Sequence, residues 1–457
     1  MVKQLPPALQ ALLPAGRWLT ATGDCLPYGF DNSKRHGPVL AVGLPENTAE
    51  VQRIVEACAQ ARLPLLVRGR GTATTGATVP LEPSVVLCTE RMRAIRRFSP
   101  ENRYVEVEPG LLNGELQAFL RPHGFFWPPD PTSAPYASIG GNLACNAGGP
   151  RTVKYGASRD NVLGLSFVDG RGQVHRCGSH TSKGAVGYDL SRLLIGSEGT
   201  LGVICSATLK LVPSPAASAS LRLAYASVEA AAEAVARLMA QPATPSALEF
   251  MDQRAIELVR ERGGVALPAA AALLLLEVDG ARDALPGQIE AVTQAAAGPG
   301  LLECRRADSA EEVAELWAAR KALSPVLRSL KPRKINEDVV VPVAALPALV
   351  RGLEALAARE RILIVNFGHA GNGNLHVNLL YDPADADEAA RCQRALPAVF
   401  ELVLALEGTL SGEHGIGIDK RDFVPGALGA GPLALMRGIK AVFDPEGILN
   451  PGKLWPP

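Results

Sequence analysis

The chain has 457 residues, of which 47% are hydrophobic and 20% are charged. These values are typical of a globular protein with about two or three domains. Lysine plus arginine equals aspartate plus glutamate, at 46 each, which argues against binding of nucleic acid or of an anionic membrane through bulk charge. No uncharged apolar run is long enough to span a bilayer, and the first residues lack the basic-then-apolar order of a signal peptide. We therefore expect a cytoplasmic protein that is not integral to a membrane, with peripheral docking on the inner membrane left open.

The eight cysteines are scattered and include no C-x-x-C pair. Iron–sulfur clusters and thiolate zinc sites usually use such pairs, so both kinds of site are disfavoured. We interpret the cysteines as reduced residues of the core.

In chain order, the first 210 residues alternate helix and strand patterns. Apolar spacing predicts a helix over 48–62, strands over 64–67, 85–87 and 104–107, and a helix that is capped by Asn113 and ends at Leu120. Such alternation indicates a layered α/β or α+β domain. The sequence Pro213-Ser214-Pro215 then predicts a domain boundary.

After that boundary the pattern changes. It predicts helices over 227–240, 252–261, 309–330 and 385–406, and strands over 272–278, 336–341, 362–366 and 375–380. These elements favour helices packed on one face of an antiparallel sheet. The alanine-rich stretch 264–300 is expected to be peripheral, and the last 40 residues are expected to be polar and rich in loops.

Three glycine-rich segments in the first part indicate a site for a phosphorylated or planar ligand. Segment 68–77 reads RGRGTATTGA and follows a predicted strand, so its backbone N–H groups can approach phosphate oxygens. It lacks the G-K-[ST] ending of a P-loop and the context of a Rossmann fingerprint, which disfavours nicotinamide binding by that route. Segments 128–150 and 195–204 add paired glycines and tight turns. Turns alone do not explain three such segments in one domain.

Three of the seven histidines, His369, His376 and His414, lie near the C-terminus among glycines. His376 and Asn378 are two apart on a predicted strand and therefore point to one face. Glu413 stands next to His414 in a glycine-rich turn. Two imidazoles with one carboxylate suit a catalytic divalent metal that keeps open positions for a substrate. His414 would then remain as a candidate general base.

Seven motifs spread over nearly the whole chain carry a family resemblance. In order they are RGRGTATTGA, PPDPTSAPYASIGGNLACNAGGPRTVKYG, IGSEGTLGVI, KINEDVVVP, GHAGNGNLHVN, SGEHGIG and FDPEGILNPGKL. Together they resemble the FAD-linked oxidoreductases of the vanillyl-alcohol oxidase/PCMH superfamily, and within it the D-lactate, D-2-hydroxyglutarate and glycolate dehydrogenase group. The resemblance implies an α+β fold. A PCMH-type FAD-binding domain of two α+β subdomains would occupy 1–213, a ferredoxin-like antiparallel-sheet cap domain 214–420, and a C-terminal segment returning to the FAD domain 421–457.

The resemblance also implies ligands and the residues that hold them. FAD would be bound non-covalently, because the first loop lacks the histidine through which some relatives attach the flavin. One divalent metal, zinc, manganese or iron(II), would be bound by His369, His376 and Glu413, with His414 as the base. The implied substrate-binding residues are Arg320, Ser324, Lys334 and Asn378. The implied FAD-binding residues are Arg68, Gly69, Arg70, Gly71, Thr72, Thr75, Gly76, Pro131, Thr132, Ser133, Gly140, Gly141, Asn142, Asn146, Gly148, Gly149, Glu198, Gly199, Gly202, Ile204 and Asn450.

The reaction implied by the resemblance is oxidation of D-lactate or a similar D-2-hydroxy acid to the 2-oxo acid. The metal would lower the pKa of the 2-hydroxyl, His414 would take its proton, and the hydride would pass to flavin N5. The alternatives are a D-2-hydroxyglutarate dehydrogenase and the FAD subunit of a glycolate oxidase complex. A non-flavin metallohydrolase would leave the N-terminal loops unexplained. The electron acceptor would be a protein or a quinone, and a homodimer is expected only from family habit.

Overall fold

The computed structural model describes residues 5–457, which form two compact units. The signal-peptide argument rests partly on residues 1–4, which lie outside the described residues. The first unit contains 5–149, 156–214 and 413–457, and the second contains 150–155 and 215–412. The chain thus leaves the first unit after residue 214 and re-enters it at 413, whereas the sequence analysis places the domain limits after 213 and 420. No helix in the described part of the chain is both long and apolar enough to cross a bilayer.

The first unit contains three sheets built from eleven strands. These are β1 (Trp18–Leu19), β2 (Val39–Gly43), β3 (Leu65–Arg68), β4 (Ser84–Cys88), β5 (Ile95–Ser99), β6 (Tyr104–Val107), β7 (Phe125–Phe126), β8 (Val162–Val168), β9 (Val174–Gly178), β10 (Val203–Lys210) and β11 (Val212–Pro213). A four-stranded sheet has the order β1-β2-β4-β3, and a five-stranded antiparallel sheet has the order β5-β6-β10-β8-β9. β7 pairs with β11. Three apolar clusters accompany the two larger sheets, and the first of them joins residues of the four-stranded sheet to Val168, Val203 and Cys205 of the five-stranded sheet.

The helix Thr48–Ala61 connects strands of the four-stranded sheet, in which β2 and β3 both run parallel to β4. Parallel strands need such a crossover. The Asn47 side chain accepts a hydrogen bond from the backbone N–H of Glu50 at 3.0 Å and caps the helix. The helix ends at Arg62, which adopts a left-handed conformation with φ 50°. The helix predicted over 48–62 is therefore confirmed.

The remaining helices of the first unit are mostly short. They are Pro7–Gln10, Thr22–Cys25, Asn113–Leu120, Ile139–Cys145, Leu190–Leu194, Val424–Leu428 and Ala430–Phe443, with 3-10 turns at Leu26–Tyr28, Arg121–His123, Ser158–Asn161 and Arg421–Phe423. The helix predicted to be capped by Asn113 is capped by Leu112. The Leu112 backbone N–H donates a hydrogen bond to the Glu115 carboxylate at 3.2 Å.

The C-terminal segment corrects one prediction, because a 14-residue helix, Ala430–Phe443, replaces the expected loops. Its only buried residue is Leu433, while Leu435 is 73% exposed. Apolar side chains therefore occur on both its inner and outer faces, which makes the helical pattern harder to recognise in the sequence. Lys440 holds the helix by donating to the Thr200 carbonyl at 2.7 Å and to the Leu449 carbonyl at 2.9 Å.

The second unit contains one seven-stranded antiparallel sheet. Its strands are β12 (Ala217–Tyr225), β13 (Ala247–Asp252), β14 (Ala272–Gly280), β15 (Leu301–Arg306), β16 (Arg333–Val340), β17 (Leu363–His369) and β18 (Asn374–Tyr381). Their order is β15-β12-β14-β13-β17-β18-β16. The first four strands have the order 4-1-3-2 in chain numbering, which is the ferredoxin-like arrangement, and the expectation of a ferredoxin-like antiparallel cap is confirmed.

The described part of the second unit contains seven helices, of which five lie between consecutive strands of this sheet. They are Thr152–Tyr155, Val228–Met239, Gln253–Arg262, Leu285–Ala296, Ala310–Leu330, Leu346–Glu360 and Ala386–Ala405, with 3-10 turns at Val343–Ala345 and Ala370–Asn372. Strands β12, β13 and β15 and helices Leu285–Ala296 and Leu346–Glu360 are absent from the sequence predictions. The prediction that 264–300 is peripheral is wrong, because it includes β14, which lies between β12 and β13 with nearly all its residues buried.

Because β14 lies inside the sheet, truncation of one of its buried side chains should destabilise the protein. Leu274 is fully buried and pairs with Leu223 on one side and Phe250 on the other. Leu274→Ala should lower the free energy of unfolding by about 2–5 kcal/mol, because it leaves a cavity in a packed core. The measurement is the urea unfolding midpoint. Leu302, on edge strand β15 and 57% exposed, is the matched control, and Leu302→Ala should cost about 0.5 kcal/mol or less. Equal midpoints for the two variants would contradict the assignment.

Candidate active site

The first unit contains a cleft where the three glycine-rich segments meet. Ten of the predicted cofactor residues line it: Gly69, Arg70, Gly71, Thr72, Gly140, Gly141, Glu198, Gly199, Gly202 and Ile204. Nine lining residues come without a sequence prediction: Val67, Ala73, Ala77, Thr78, Thr89, Pro109, Ala144, Cys145 and Ser197. Most of these nine are small or apolar and belong to no distinctive pattern, so the sequence offers little signal for them.

Glycine is required where the walls of the cleft come closest. A Cβ atom at Gly69 would lie 2.3 Å from Ser138 Oγ. Gly71 has φ +66°, and a Cβ there would lie 2.1 Å from a terminal nitrogen of Arg68. Both positions therefore exclude side chains and present backbone to the cleft. Such a backbone surface fits a planar ring and phosphate oxygens.

The other predicted cofactor residues do not line the cleft, and two of them, Arg68 and Asn450, hold segments that do. Arg68 is buried and donates to the carbonyls of Phe30 at 2.7 Å and Pro27 at 3.2 Å. Asn450 donates to the carbonyls of Ala77 at 3.0 Å and Glu198 at 2.6 Å. The residues outside the lining are Arg68, Thr75, Gly76, Pro131, Thr132, Ser133, Asn142, Asn146, Gly148, Gly149 and Asn450. Their roles in cofactor binding stay a prediction.

The second glycine segment is partly helical. Ser138 caps the short helix Ile139–Cys145 by accepting a hydrogen bond from the Gly141 N–H at 3.3 Å. Asn146 ends it in a left-handed conformation, with φ 52°, and its side chain accepts from the Arg159 N–H at 2.9 Å. Pro109 limits the space beside this helix, since a Cβ at Gly140 would lie 2.6 Å from the Pro109 side chain.

Glu198 fixes the segment that follows His414 within the first unit. Its buried carboxylate accepts hydrogen bonds from the N–H groups of Ile416 at 2.6 Å and Gly417 at 2.8 Å. Burial raises the pKa of Glu198 to about 6, although both N–H donors favour the ionised form. Thr75 adds two contacts, because its carbonyl accepts from Ile418 N at 2.8 Å and its hydroxyl lies 3.4 Å from the His414 carbonyl. The backbone at His414 is thus held against the first glycine loop.

In the second unit, a hairpin places two of the predicted metal ligands together. His369 ends β17, Gly373 turns the chain with φ +69°, and His376 lies on β18. The centroids of the two imidazole rings are 5.2 Å apart, and both residues are buried. Glu413 and His414 belong to the first unit, so the complete metal set stays a prediction.

Glu249 is a residue of this region that the sequence analysis misses. It lies on β13 directly opposite His369 on β17 and is fully buried. One carboxylate oxygen is hydrogen-bonded to His369 Nδ1, and the other accepts from Arg320 Nε at 2.6 Å. Burial alone would raise the pKa of Glu249, but the electrostatic and hydrogen-bond interactions with His369 and Arg320 outweigh burial and hold the pKa below its usual value. The Arg320 guanidinium also stacks over Phe367, 4.8 Å from the ring centroid.

Asp338 is a second residue without a sequence prediction. It lies on β16 opposite His376 and is fully buried. Its carboxylate accepts hydrogen bonds from Asn374 Nδ2 at 2.7 Å, Ser411 Oγ at 2.9 Å and Gly412 N at 2.9 Å. Asp338 therefore anchors the chain immediately before Glu413 to the strands of the histidine hairpin.

The predicted substrate residues fall into two pairs. Arg320 and Ser324 are four residues apart on helix Ala310–Leu330 and so share a face. Lys334 Nζ donates to Asn378 Oδ1 at 3.0 Å, and the Asn378 amide donates to the Val365 carbonyl at 3.1 Å. Burial, with the charges of Arg328 and Arg320, lowers the pKa of Lys334 to about 8. These four positions remain predictions as substrate contacts.

Two family descriptions match the chain. Residues 214–454 match the C-terminal domain of FAD-linked oxidases, and residues 39–178 match an FAD-binding domain. Among solved structures, p-cresol methylhydroxylase has the same fold, with a TM-score of 0.82, 16% identity, and coverage of 98% of this chain and 96% of that one.

Several characterised proteins are similar over most of their length. The glycolate oxidase subunit GlcD of Bacillus subtilis is 37% identical over 94% of this chain and 92% of its own. The D-2-hydroxyglutarate dehydrogenase of Stutzerimonas stutzeri is 32% identical over 98% of both chains. The D-lactate dehydrogenase of Anaerostipes hadrus is 33% identical over 89% and 88%. The glycine cleft, the ferredoxin-like cap and these matches agree, and the chain belongs to the FAD-linked oxidases, a family of FAD-dependent oxidoreductases.

Proposed function

We propose that the protein oxidises D-lactate or a similar D-2-hydroxy acid to the corresponding 2-oxo acid. The observation that carries the proposal is the group in the second unit where Arg320 and His369 share the carboxylate of Glu249, with His376 beside them. It combines a cation suited to a carboxylate with imidazoles suited to a metal, which are the two groups that recognise a 2-hydroxy acid. The names of the relatives, D-lactate dehydrogenase and D-2-hydroxyglutarate dehydrogenase, support the same substrate class.

The cofactor is FAD, and we propose that it is held without a covalent bond. Segment 68–77 has no histidine for attachment. Gly69 and Gly71 would offer backbone to the pyrophosphate, while the Gly140–Gly141 and Gly199–Gly202 turns would line the rest of the cleft. When bound, FAD supplies the acceptor for the hydride that leaves substrate C2.

A divalent metal, zinc, manganese or iron(II), is proposed to bind His369, His376 and Glu413. Because His369 Nδ1 is hydrogen-bonded to Glu249, Nε2 would be the ring nitrogen that binds the metal. Glu413 follows Gly412, whose N–H is fixed by Asp338 opposite His376. A metal held there supplies a Lewis acid that makes the substrate hydroxyl more acidic.

The chain's own residues would bind the substrate and move its proton. The terminal nitrogens of Arg320 have no protein partner within the described residues, so they can form a forked pair with a carboxylate. Lys334 would add a second positive charge, with Asn378 setting its position and Ser324 adding a hydroxyl. His414 is the proposed general base, and the contacts of Glu198 and Thr75 fix the backbone on which it stands.

Two related functions differ from the proposed one only in the substrate that is bound or in the protein assembly that receives the electrons. A D-2-hydroxyglutarate dehydrogenase would need one cation for each substrate carboxylate, and Arg320 with Lys334 provide two. A role as the FAD subunit of a glycolate oxidase complex is supported by the similarity to GlcD. In every case a protein or quinone would accept the electrons.

The first test is anaerobic reduction of the bound flavin by single substrates, followed by its visible absorption. We expect D-lactate or D-2-hydroxyglutarate to bleach the flavin and the L enantiomers to do so far more slowly. His414→Ala should slow the reduction by on the order of 10²-fold with the FAD content unchanged, because the proton acceptor is lost. Equal rates for both enantiomers, or normal rates in His414→Ala, would refute the proposal.

The second test is removal of metal. Treatment with a chelator followed by gel filtration should lower turnover by about 10²-fold or more, since the hydroxyl then loses its Lewis acid. Added Zn²⁺ or Mn²⁺ should restore it in the wild type but not in His369→Ala. His175, which pairs with Asp169 at 3.0 Å in the first unit, is the control, and His175→Ala should behave as the wild type. Activity that is indifferent to chelator would remove the metal from the mechanism.

The third test is the alkaline pH dependence. Because the pKa of Lys334 is about 8, the side chain is charged below that pH and neutral above it. We expect kcat/KM for the acid to fall above pH 8, by up to about tenfold per pH unit. Lys334→Arg should move this fall to higher pH, because arginine keeps its charge. Lys331→Arg, at a lysine paired with Glu388 at 3.0 Å, should leave the profile unchanged. An unaltered alkaline limb in Lys334→Arg would contradict the role of Lys334.

A further inference from the structure

Glu249 is unusual because it is a carboxylate with no exposure to solvent in the interior of a sheet. Its strand β13 is buried along its whole length, between β14 and β17. A buried carboxylate costs several kcal/mol unless charged or hydrogen-bonded partners compensate it. Glu249 has such partners on both oxygens, His369 on one and Arg320 on the other.

The contact with His369 has a chemical consequence for that imidazole. A carboxylate oxygen accepts hydrogen bonds, so Nδ1 of His369 must carry the proton. The lone pair then lies on Nε2, which is the form of the ring that binds a metal through Nε2. The antiparallel register, which pairs Glu249 directly with His369, fixes this contact through the backbone.

The contact with Arg320 has a matching consequence for the guanidinium. Glu249 takes the Nε–H at 2.6 Å, and Phe367 covers one face of the guanidinium group at 4.8 Å. Both contacts restrict rotation of a long side chain and leave the two terminal nitrogens to make a forked contact. Arg320 is 17% exposed, so those nitrogens remain accessible to a small anion.

We propose that Glu249 is a positioning residue that sets His369 for metal binding and Arg320 for the substrate carboxylate at the same time. The proposal rests on the function proposed above. It goes beyond that function because it makes one carboxylate fix the spacing of the two recognition groups. Acids whose hydroxyl is not on the carbon bonded to the carboxylate would then bind poorly, because the two groups could not reach Arg320 and the metal together.

The test measures metal binding directly, in FAD-loaded protein stripped of metal, with Zn²⁺ alone as the probe in isothermal titration calorimetry. Glu249→Gln keeps the shape of the side chain but loses its charge and one acceptor oxygen. We expect Zn²⁺ to bind about 10- to 100-fold more weakly. We also expect KM for the hydroxy acid to rise by about tenfold or more. Arg320 loses the charged partner that orients its guanidinium, and it therefore binds the substrate carboxylate less tightly. Glu249→Asp, which keeps the charge, should restore part of both losses.

The matched control is Asp252, a buried carboxylate at the end of the same strand. It caps helix Gln253–Arg262 by accepting from Ala255 N at 2.7 Å and contacts neither His369 nor Arg320. Asp252→Asn should leave the Zn²⁺ affinity and KM close to those of the wild type. A comparable loss in Asp252→Asn would show that general loosening, and not positioning, explains the effect of Glu249→Gln.

The effects of His369→Ala and Glu249→Gln on Zn²⁺ binding distinguish an error in the role of Glu249 from an error in the proposed metal site. If His369→Ala leaves Zn²⁺ binding unchanged, the proposed metal site is wrong. If His369→Ala abolishes binding while Glu249→Gln changes neither Zn²⁺ affinity nor KM, the inference alone is overturned. In the His369→Ala background, Glu249→Gln should have little further effect on Zn²⁺.

A spectroscopic measurement keeps the inference falsifiable should Glu249→Gln not fold. The ¹⁵N spectrum of histidine-labelled wild-type protein should show the proton of His369 on Nδ1. The opposite tautomer would contradict the proposed contact without any substitution.

Discussion

The candidate site depends on a simple electrostatic constraint, which is that a charge removed from water must be matched inside the protein. Glu249 meets it with two hydrogen-bond donors, the His369 imidazole and the Arg320 guanidinium, and each donor is thereby held in one orientation. Asp338 meets it with three neutral donors, and those donors fix the turn that leads to Glu413. The order of the site is therefore a product of burial. A more exposed site with the same side chains would let each of them relax into solvent.

The cleft of the first unit is governed by a different constraint, the absence of side-chain atoms. Segments far apart in sequence approach so closely that a single Cβ at Gly69 or Gly140 would collide with a neighbour. The cleft therefore presents mainly backbone groups. Arg68 and Asn450 hold the surrounding segments by hydrogen bonds to backbone carbonyls. Some polar residues of the motifs, such as Arg68 and Asn450, therefore support the wall of the cleft and do not line it.

The sequence reveals the parts of the site that carry a local signal. His369 and His376 stand out because glycines surround them and because histidine is rare in this chain, and the structure brings the two rings together on one hairpin. Glu249 is difficult to recognise because it is an ordinary acidic residue in the short run ALEFMD. Its partners, Arg320 and His369, are 71 and 120 residues away in the sequence. Its strand also lacks alternation, since both faces of the sheet are covered. Contacts of that range follow from strand order, which the local pattern does not encode.

The weakly buried helix Ala430–Phe443 has a consequence for the dynamics of the first unit. It contacts the core through buried Leu433 and through the partly buried Ile439 and Phe443, and Lys440 adds hydrogen bonds. Segments with so little buried apolar area open locally at a free-energy cost well below that of global unfolding. Its amide hydrogens should therefore exchange with solvent before those of the adjoining sheets. Because residues 448–450 follow this helix and bond to Leu65 beside the glycine loop, its opening would reach the edge of the flavin cleft.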